Sequence, residues 1–343
     1  MWFRRGATMI TWAPYSGRSE GLAQSLGINN HFVHFLSFQR PWLAPLKYPL
    51  QAIVTLAILL RERPALVLCQ NPPFVAPLVA WLYCALSGAR LAIDSHSQAY
   101  IVRRWRWSLP IQRWLSRRAA ATIVTNEHLA SGIRAWDAPV LIAPDPPVRM
   151  PELGPRLAPA TPTVVVINTY AEDEPVAEVI AAARTLPHVH FALTGNPKYA
   201  QPEWLANLPP NVELTGFLPM DDYYRRIRDA SVLMALTTLD HTVQRGGWEA
   251  LDLGQPLIVS DWPILREYFR GGTLHTANDS DSIARAVSDA LAHESTLRQD
   301  MLVFRDERRR EWQRAQASIE RLIPAQAPPR SPLRGAIEQP RQA

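Results

Sequence analysis

Short apolar runs rich in Val, Ile and Thr alternate along the chain with stretches whose apolar residues recur every three or four positions. The first pattern marks buried strands and the second marks helices. In the first half, strands are predicted at Thr8–Trp12, His31–Phe35, Ala65–Cys69, Arg90–Ile93, Thr122–Thr125 and Val140–Ile142. Helices are predicted at Glu20–Leu26, Leu50–Arg61, Phe74–Leu86, Leu109–Arg118 and Glu127–Ala135. The pattern pauses at Met150–Pro162, where Pro151, Pro155, Pro159 and Pro162 crowd a segment without apolar periodicity, and then restarts. Six more strands are predicted (Thr163–Asn168, His190–Thr194, Glu213–Thr215, Val232–Leu236, Pro256–Val259, Thr273–Thr276), again interleaved with helices, the last a long charged one at Leu297–Leu322. Strands alternating with helices predict parallel sheets wrapped on both faces. The expected architecture is two doubly wound, Rossmann-like domains, residues 1–149 and 163–323, joined by a linker at 150–162 and followed by a disordered tail at 324–343. Open sheets of this kind bind ligands at the carboxyl ends of their strands, so both domains are expected to face a shared cleft.

Composition adds charge asymmetry. The 343 residues carry a net charge of +5, yet residues 1–150 hold 16 Lys and Arg against 6 Asp and Glu, so the remainder is net acidic. The first half is therefore expected to meet something anionic. The two cysteines, Cys69 and Cys84, sit in apolar runs without metal-ligand spacing and read as reduced core thiols. Met1–Arg5 carries no signal-peptide stretch. The longest apolar runs, Pro49–Leu60 and Pro72–Ser87, are shorter than the roughly 20 residues of a membrane span. Both read as buried helices, and the protein as cytoplasmic.

Candidate chemistry lies just after the strands. Arg245, Gly246 and Gly247 lead into a short helix that carries Glu249 and ends at Gly254. Glycines at a helix start let a phosphate approach backbone N–H groups and the positive end of the dipole. Arg245 offers a fork for a diphosphate, and Glu249 a carboxylate for sugar hydroxyls. After the first strand, Ser16-Gly17-Arg18 forms a turn for phosphate or sugar, or an ordinary capped βα turn. Two prolines after Asn71 are expected to fix a loop that points its amide into the cleft. Asp94 and His96, two apart at a strand end, share a face as a base and its orienting carboxylate. Thr169, Gly195, Lys198, Phe217 and Leu218 lie in second-domain loops expected to line a nucleotide. Arg103, Arg104 and Arg106 interleave with Trp105 and Trp107, which suits an anionic membrane surface. A solvated basic face and a nucleic-acid surface are the alternatives, and no nucleic-acid partner is expected.

The order of these motifs resembles GT-B nucleotide-sugar glycosyltransferases of the family 4 type. It most resembles the β-1,4-mannosyltransferases of dolichol-linked oligosaccharide assembly. The matching residues are Gln70-Asn71-Pro72-Pro73, Ile93-Asp94-Ser95-His96, Val124-Thr125-Asn126 and Glu172-Asp173-Glu174. The resemblance implies a GT-B fold and transfer of a sugar from a nucleoside diphosphate sugar. The implied acceptor is a saccharide, carried on a polyprenyl diphosphate, in polysaccharide or glycolipid assembly. A peripheral position on the inner face of the membrane follows. The chain departs from the pattern in three ways: His241 stands eight residues before Glu249 where the family usually has an acid, Asn168-Thr169-Tyr170 replaces a Gly-Arg, and no N-terminal anchor precedes the first strand. Arg245, Arg18 and Lys198 are then the candidate diphosphate cations. There is no Asp-x-Asp motif, so neither a metal nor a cofactor is expected. A nucleotide-sugar epimerase of the same fold and a non-catalytic glycosyltransferase-like subunit remain alternative readings.

Overall fold

The computed structural model describes residues 6–36, 41–240 and 242–324. Met1–Arg5, Ser37–Arg40, His241 and the tail from Ala325 lie outside the described residues. The chain divides into two compact units, one comprising residues up to Pro144 together with those from Ala315, the other Asp145–Arg314.

The first unit is a six-stranded sheet, β1 (Ala7–Thr11), β2 (Asn29–Phe32), β3 (Leu66–Asn71), β4 (Arg90–Ser95), β5 (Ala121–Val124) and β6 (Val140–Ile142). All pairings are parallel and the order is β2-β1-β3-β4-β5-β6. Its helices are α1 (Gly17–Leu26), α2 (Ala44–Glu62), α3 (Val75–Ser87), α4 (Gln98–Ile101), α5 (Leu109–Ser116) and α6 (Glu127–Arg134). The strand order reverses between β1 and β3, which opens a crevice beyond their carboxyl ends. Every residue of β3 is buried, as a central parallel strand covered on both faces requires. Cys69 and Cys84 are buried in this unit's core and form no disulfide.

The second unit holds β7 (Thr163–Val166), β8 (His190–Thr194), β9 (Val212–Gly216), β10 (Val232–Ala235), β11 (Leu257–Ser260) and β12 (Thr273–Thr276). Their order, β12-β11-β10-β7-β8-β9, is the Rossmann order, so this sheet reverses between β7 and β10. Its helices are α7 (Val176–Thr185), α8 (Pro202–Leu205), α9 (Met220–Asp229), α10 (Arg245–Leu253), α11 (Pro263–Tyr268), α12 (Ser280–Ala292) and α13 (Glu294–Glu320), of which the last turns count with the first unit. Alternate residues of β7 serve opposite cores. Val164 and Val166 pack with α7 and α12, while Val165 packs with Ala250 and Leu251 of α10 and with Met301 and Phe304 of α13. That is the period of two expected of a strand.

All twelve expected strands are present, with ends shifted by a few residues. Three expectations meet a different outcome. The segment 150–162 does not hang free. Met150 and Leu153 pack on the second core, Leu157 N–H donates to Asp229 (2.8 Å), and Arg156 reaches Ala230 O and Glu294, both at 2.9 Å. Residues from Ala315 belong with the first unit, where Gln316 Nε2 donates to Ser25 O at 2.9 Å. The run Pro49–Leu60 is not a wholly buried helix, because Leu50, Ile53 and Leu60 are exposed.

Candidate functional site

In the first unit, the polar residues gather at the carboxyl ends of β1, β3 and β4. Ser16 caps α1, its hydroxyl accepting the Ser19 N–H at 3.3 Å, and Gly17 is the first helical residue. The capped-turn reading of this loop therefore accounts for Ser16. Arg18, one residue on, does not stand open to a phosphate. Its Nε and Nη2 lie 3.0 and 2.9 Å from Asp94 Oδ1, and Nη2 also donates to Ala143 O at 3.1 Å. Asp94 is completely buried, and its other oxygen lies 3.2 Å from His96 Nε2. Burial alone would raise the Asp94 carboxyl, but the Arg18 guanidinium and His96 hold it well below the usual carboxylate range. The result is a chain Arg18–Asp94–His96, in which only His96 is substantially open, its side chain a quarter exposed.

Asn71 departs from expectation. Its amide does not project outward. Nδ2 donates to Ser95 Oγ (2.9 Å) and Gln112 Oε1 (3.0 Å), both buried, while Tyr100 donates to the same Ser95 hydroxyl at 2.6 Å. Asn71 Oδ1 is buried with no partner among the described residues. The following bonds, Asn71–Pro72 and Pro72–Pro73, are both cis. Gln112 and Tyr100 had no sequence signal, since one is a mid-helix amide and the other flanks a basic run.

In the second unit, α10 starts at Arg245, three residues earlier than its apolar pattern indicates, so both glycines lie within its first turn. They serve packing. A Cβ on Gly246 would lie 2.9 Å from Ile167 Cγ2, and one on Gly247 only 2.4 Å from the Phe269 ring. The Gly247 N–H is already used, donating to Gln244 O at 3.2 Å. The glycines therefore let α10 pack close against Ile167 and the Phe269 ring. Glu249 is buried, and its oxygens are occupied within the chain. Oε2 accepts from Tyr223 at 2.5 Å, and Oε1 from Arg245 Nε at 2.8 Å and from Tyr224 at 3.4 Å. Arg245 Nη2 also reaches Tyr224 Oη at 3.3 Å, and about half of its side chain is exposed. Glu249 thus holds Arg245 in place. Burial and the Glu249 charge push both tyrosine hydroxyls upward, so they stay protonated donors.

The loop after β7 carries a carboxyl group of its own. The Glu174 carboxylate accepts the N–H groups of Thr169 (2.8 Å) and Ala171 (2.9 Å) and lies 3.3 Å from the Thr169 hydroxyl. Burial raises its pKa. Thr169 is therefore bound to Glu174, and Tyr170 takes a left-handed φ of 63° in this tight turn. Gly195 closes the same corner. Its φ is 90°, and a Cβ there would lie 2.5 Å from Asn168 O. Lys198 and Phe217 are exposed and Leu218 is half-buried. A network missed in the sequence surrounds Thr237. Its hydroxyl donates to Asp173 (2.7 Å), its N–H to Ser260 Oγ (2.9 Å), and its carbonyl accepts from Trp262 (2.8 Å) and Asn278 (3.0 Å). Asp173 belongs to the Glu172-Asp173-Glu174 motif, and the fold brings Thr237, Ser260, Trp262 and Asn278 to it. No cluster of metal-type ligands occurs among the described residues.

Of the basic-aromatic segment, Arg103, Arg104, Arg106 and Trp107 are exposed. Trp105 is half-buried edge-on against Phe74, with Arg104 over its ring at 5.2 Å. No described helix is long and apolar enough to cross a membrane.

Residues 174–320 match the family model described as glycosyl transferase-like. No curated protein matches the chain. Solved structures share the fold at low identity. The sucrose-phosphate synthase of Thermosynechococcus elongatus is 13% identical with a TM-score of 0.67, over 93% of this chain and 98% of that one. HepE of Anabaena, solved in complex with UDP, is 12% identical with a TM-score of 0.67, over 92% of this chain and 100% of that one. A Listeria monocytogenes protein described as a UDP-N-acetylglucosamine 2-epimerase is 11% identical with a TM-score of 0.62, over 92% of this chain and 95% of that one. The fold is GT-B, two Rossmann-like domains.

Proposed function

We propose that the protein transfers a sugar from a nucleoside diphosphate sugar to a hydroxyl of a saccharide acceptor. The observation that carries this reading is Arg245, a half-exposed guanidinium fixed by buried Glu249 within the glycosyl transferase-like domain. Sugar transfer breaks the bond between the anomeric carbon and the diphosphate, through an oxocarbenium-like state. The leaving diphosphate takes the electron pair, and a positioned cation stabilises it. Arg245 suits that task, with Lys198 as a second cation. Thr169, Gly195, Phe217 and Leu218 are the proposed nucleotide contacts, Phe217 by its exposed ring.

The acceptor oxygen must lose its proton as it bonds to the anomeric carbon. His96 is the proposed base. With Nε2–H directed to Asp94, Nδ1 is left with a lone pair for that proton, and the ionised Asp94 stabilises the imidazolium that forms. Arg18 is a positioning residue, holding Asp94 ionised and oriented. Reading the acceptor as a polyprenyl-diphosphate saccharide, in polysaccharide or glycolipid assembly at the inner face of the membrane, is supported by the basic, aromatic surface of the first unit. It is also supported by the Gln70–Pro73 and Ile93–His96 motifs of the dolichol-type mannosyltransferases.

The Listeria relative favours one second reading, epimerisation of the nucleotide sugar itself. One experiment separates the two. UDP-, GDP- and ADP-sugars are screened by thermal shift, and the donor that binds is then followed by NMR with and without a lipid-linked saccharide. Release of nucleoside diphosphate that requires the acceptor supports transfer. A new sugar epimer formed without acceptor supports the alternative. Donor binding with neither product points to a non-catalytic subunit.

A further inference from the structure

An ordinary surface helix buries its one apolar stripe, but α2 packs Leu59, with Ala52, Val54, Leu56 and Ile58 beside it, on the core and leaves a second apolar stripe in solvent. Its inward face carries Lys47, Gln51, Thr55 and Leu59, all buried. The polar members have partners there. Gln51 Nε2 donates to Val33 O at 2.7 Å, Thr55 Oγ1 accepts from Trp12 at 2.8 Å, and Lys47 Nζ lies 5.3 Å from the Tyr48 ring centre. The outward face carries Leu46 (65% exposed), Leu50 (41%), Ile53 (65%) and Leu60 (49%), spaced as one stripe. Trp42, in the turn before the helix, is 69% exposed. Leaving such a stripe in water is unfavourable, and contiguous exposed apolar surface marks a contact site.

Charge identifies what it contacts. The sequence has no Asp or Glu between Glu20 and Glu62, between Glu62 and Asp94, or between Asp94 and Glu127. Those acids that fall near are engaged inside the unit, Glu62 by Thr8 and His31, Asp94 by Arg18 and His96. Arg104 acts electrostatically on Lys47 and Tyr48, in the first turns of α2, which puts the turn that carries the exposed Arg103, Arg104 and Arg106 beside the start of that helix. The region around the start of α2 is therefore apolar and basic, and its own segments contribute no free acid. A second copy packed face to face through this surface would bring the same positive charge against it. An anionic lipid leaflet supplies both complements, acyl chains for the stripe and phosphates for the arginines.

We propose that α2 lies in the plane of an anionic bilayer surface, with Trp42, Leu46, Leu50 and Ile53 inserted at headgroup depth and Arg103, Arg104 and Arg106 on lipid phosphates. This rests on the peripheral-membrane part of the proposed function and names the surface that carries it. Without α2, the Trp105–Trp107 turn is a small anchor, since Trp105 is half-buried against Phe74.

The test uses the full chain and vesicles of phosphatidylcholine with and without phosphatidylglycerol, read by co-sedimentation. The wild type is expected on anionic vesicles only, with salt releasing it. The double variant Leu50→Glu/Ile53→Glu is expected to bind at least about tenfold more weakly, since two apolar anchors are lost. Trp42→Ser, which lies outside α2 and cannot break it, is expected to weaken binding in the same direction. Unchanged urea midpoints show that the variants are folded. If the double variant and Trp42→Ser bind as the wild type does while Trp105→Ser/Trp107→Ser does not, the α2 inference is overturned and the membrane reading stands. If the wild type binds no vesicle, both fall. A concentration-dependent dimer by light scattering, lost in the double variant, also overturns the inference, because it assigns the stripe to a second copy. Transfer to a water-soluble acceptor is expected to survive in the double variant, so loss of membrane binding stays separable from loss of activity.

Discussion

Glu249 Oε1 receives the Nε–H of Arg245 at 2.8 Å, one helical turn away on α10. The pair is half in and half out of the protein, with the carboxylate buried and the guanidinium half-exposed. A surface ion pair contributes little, but a buried carboxylate that also holds two tyrosine hydroxyls fixes the direction of its partner.

The first prediction follows from that arrangement. Glu249→Ala is expected to weaken nucleoside diphosphate binding roughly tenfold or more, matching the loss of a charged hydrogen bond of roughly 1.5–3 kcal/mol. The effect runs through Arg245. Arg245→Ala should therefore cost as much, and the double variant no more than Arg245→Ala alone. Calorimetric affinities for the four proteins form the cycle. Additive losses would show that Glu249 contacts the donor independently.

A second prediction concerns the first unit. His96→Ala is expected to lower kcat by roughly 10²–10⁴ with nucleotide affinity nearly unchanged. Arg18→Ala is expected to act mainly on stability, because it leaves a buried carboxylate without its guanidinium. Breaking a buried pair costs about 3–5 kcal/mol. Urea midpoints and turnover, measured side by side, separate the two roles. An Arg18→Ala protein as stable as the wild type contradicts this placement of Arg18.

The glycines of α10 give a third test. Gly247→Ala drives a Cβ to 2.4 Å from the ring of buried Phe269. Overpacking of this kind costs about 1–3 kcal/mol. Gly132, inside α6, has open space around its missing Cβ, so Gly132→Ala is expected to stabilise by roughly 0.5–1 kcal/mol. Opposite shifts in thermal midpoint are the expected readout. Equal shifts would remove the packing account.

Asp252 predicts a pH dependence. Its carboxyl accepts the Val148 N–H at 2.6 Å, yet burial pushes its pKa up from 3.8 to about 6. Between those values the folded chain holds a proton that the unfolded chain has lost. Stability therefore falls as pH rises from about 4 through 6. Asp252→Asn keeps an acceptor for Val148 and has no proton to lose. It is expected to be more stable than the wild type above pH 7, by roughly 1–3 kcal/mol, and to show a flatter profile. Urea unfolding at a series of pH values checks both the sign and the window.

The twelve strands were legible because a buried strand and an amphipathic helix differ in local period, and local period survives in a single chain. Gly254 was legible as a helix end for the same kind of reason, since it takes the left-handed φ of 69° that L side chains resist. Of the site residues, the sequence located the segments after the strands, and Asp94 with His96 came together as their spacing implied.

What only the tertiary structure decided is the direction each side chain faces and what it meets. The order β2-β1-β3 in one sheet and β9-β8-β7-β10 in the other is a matter of pairing between distant segments, which carries no local signature. Arg18 meets Asp94 across 76 positions, so one of the candidate diphosphate cations became half of an ion pair. Gly246 and Gly247 look the same in sequence whether a ligand or a neighbouring side chain approaches them, and here the neighbours are Ile167 and Phe269. Leu50, Ile53 and Leu60 of α2 read as core by composition but are exposed. Their exposure follows from the inward positions going to Gln51 and Thr55, whose partners Val33 and Trp12 lie on other elements. Periodicity states that a helix has two faces, and long-range contacts determine which of them meets solvent.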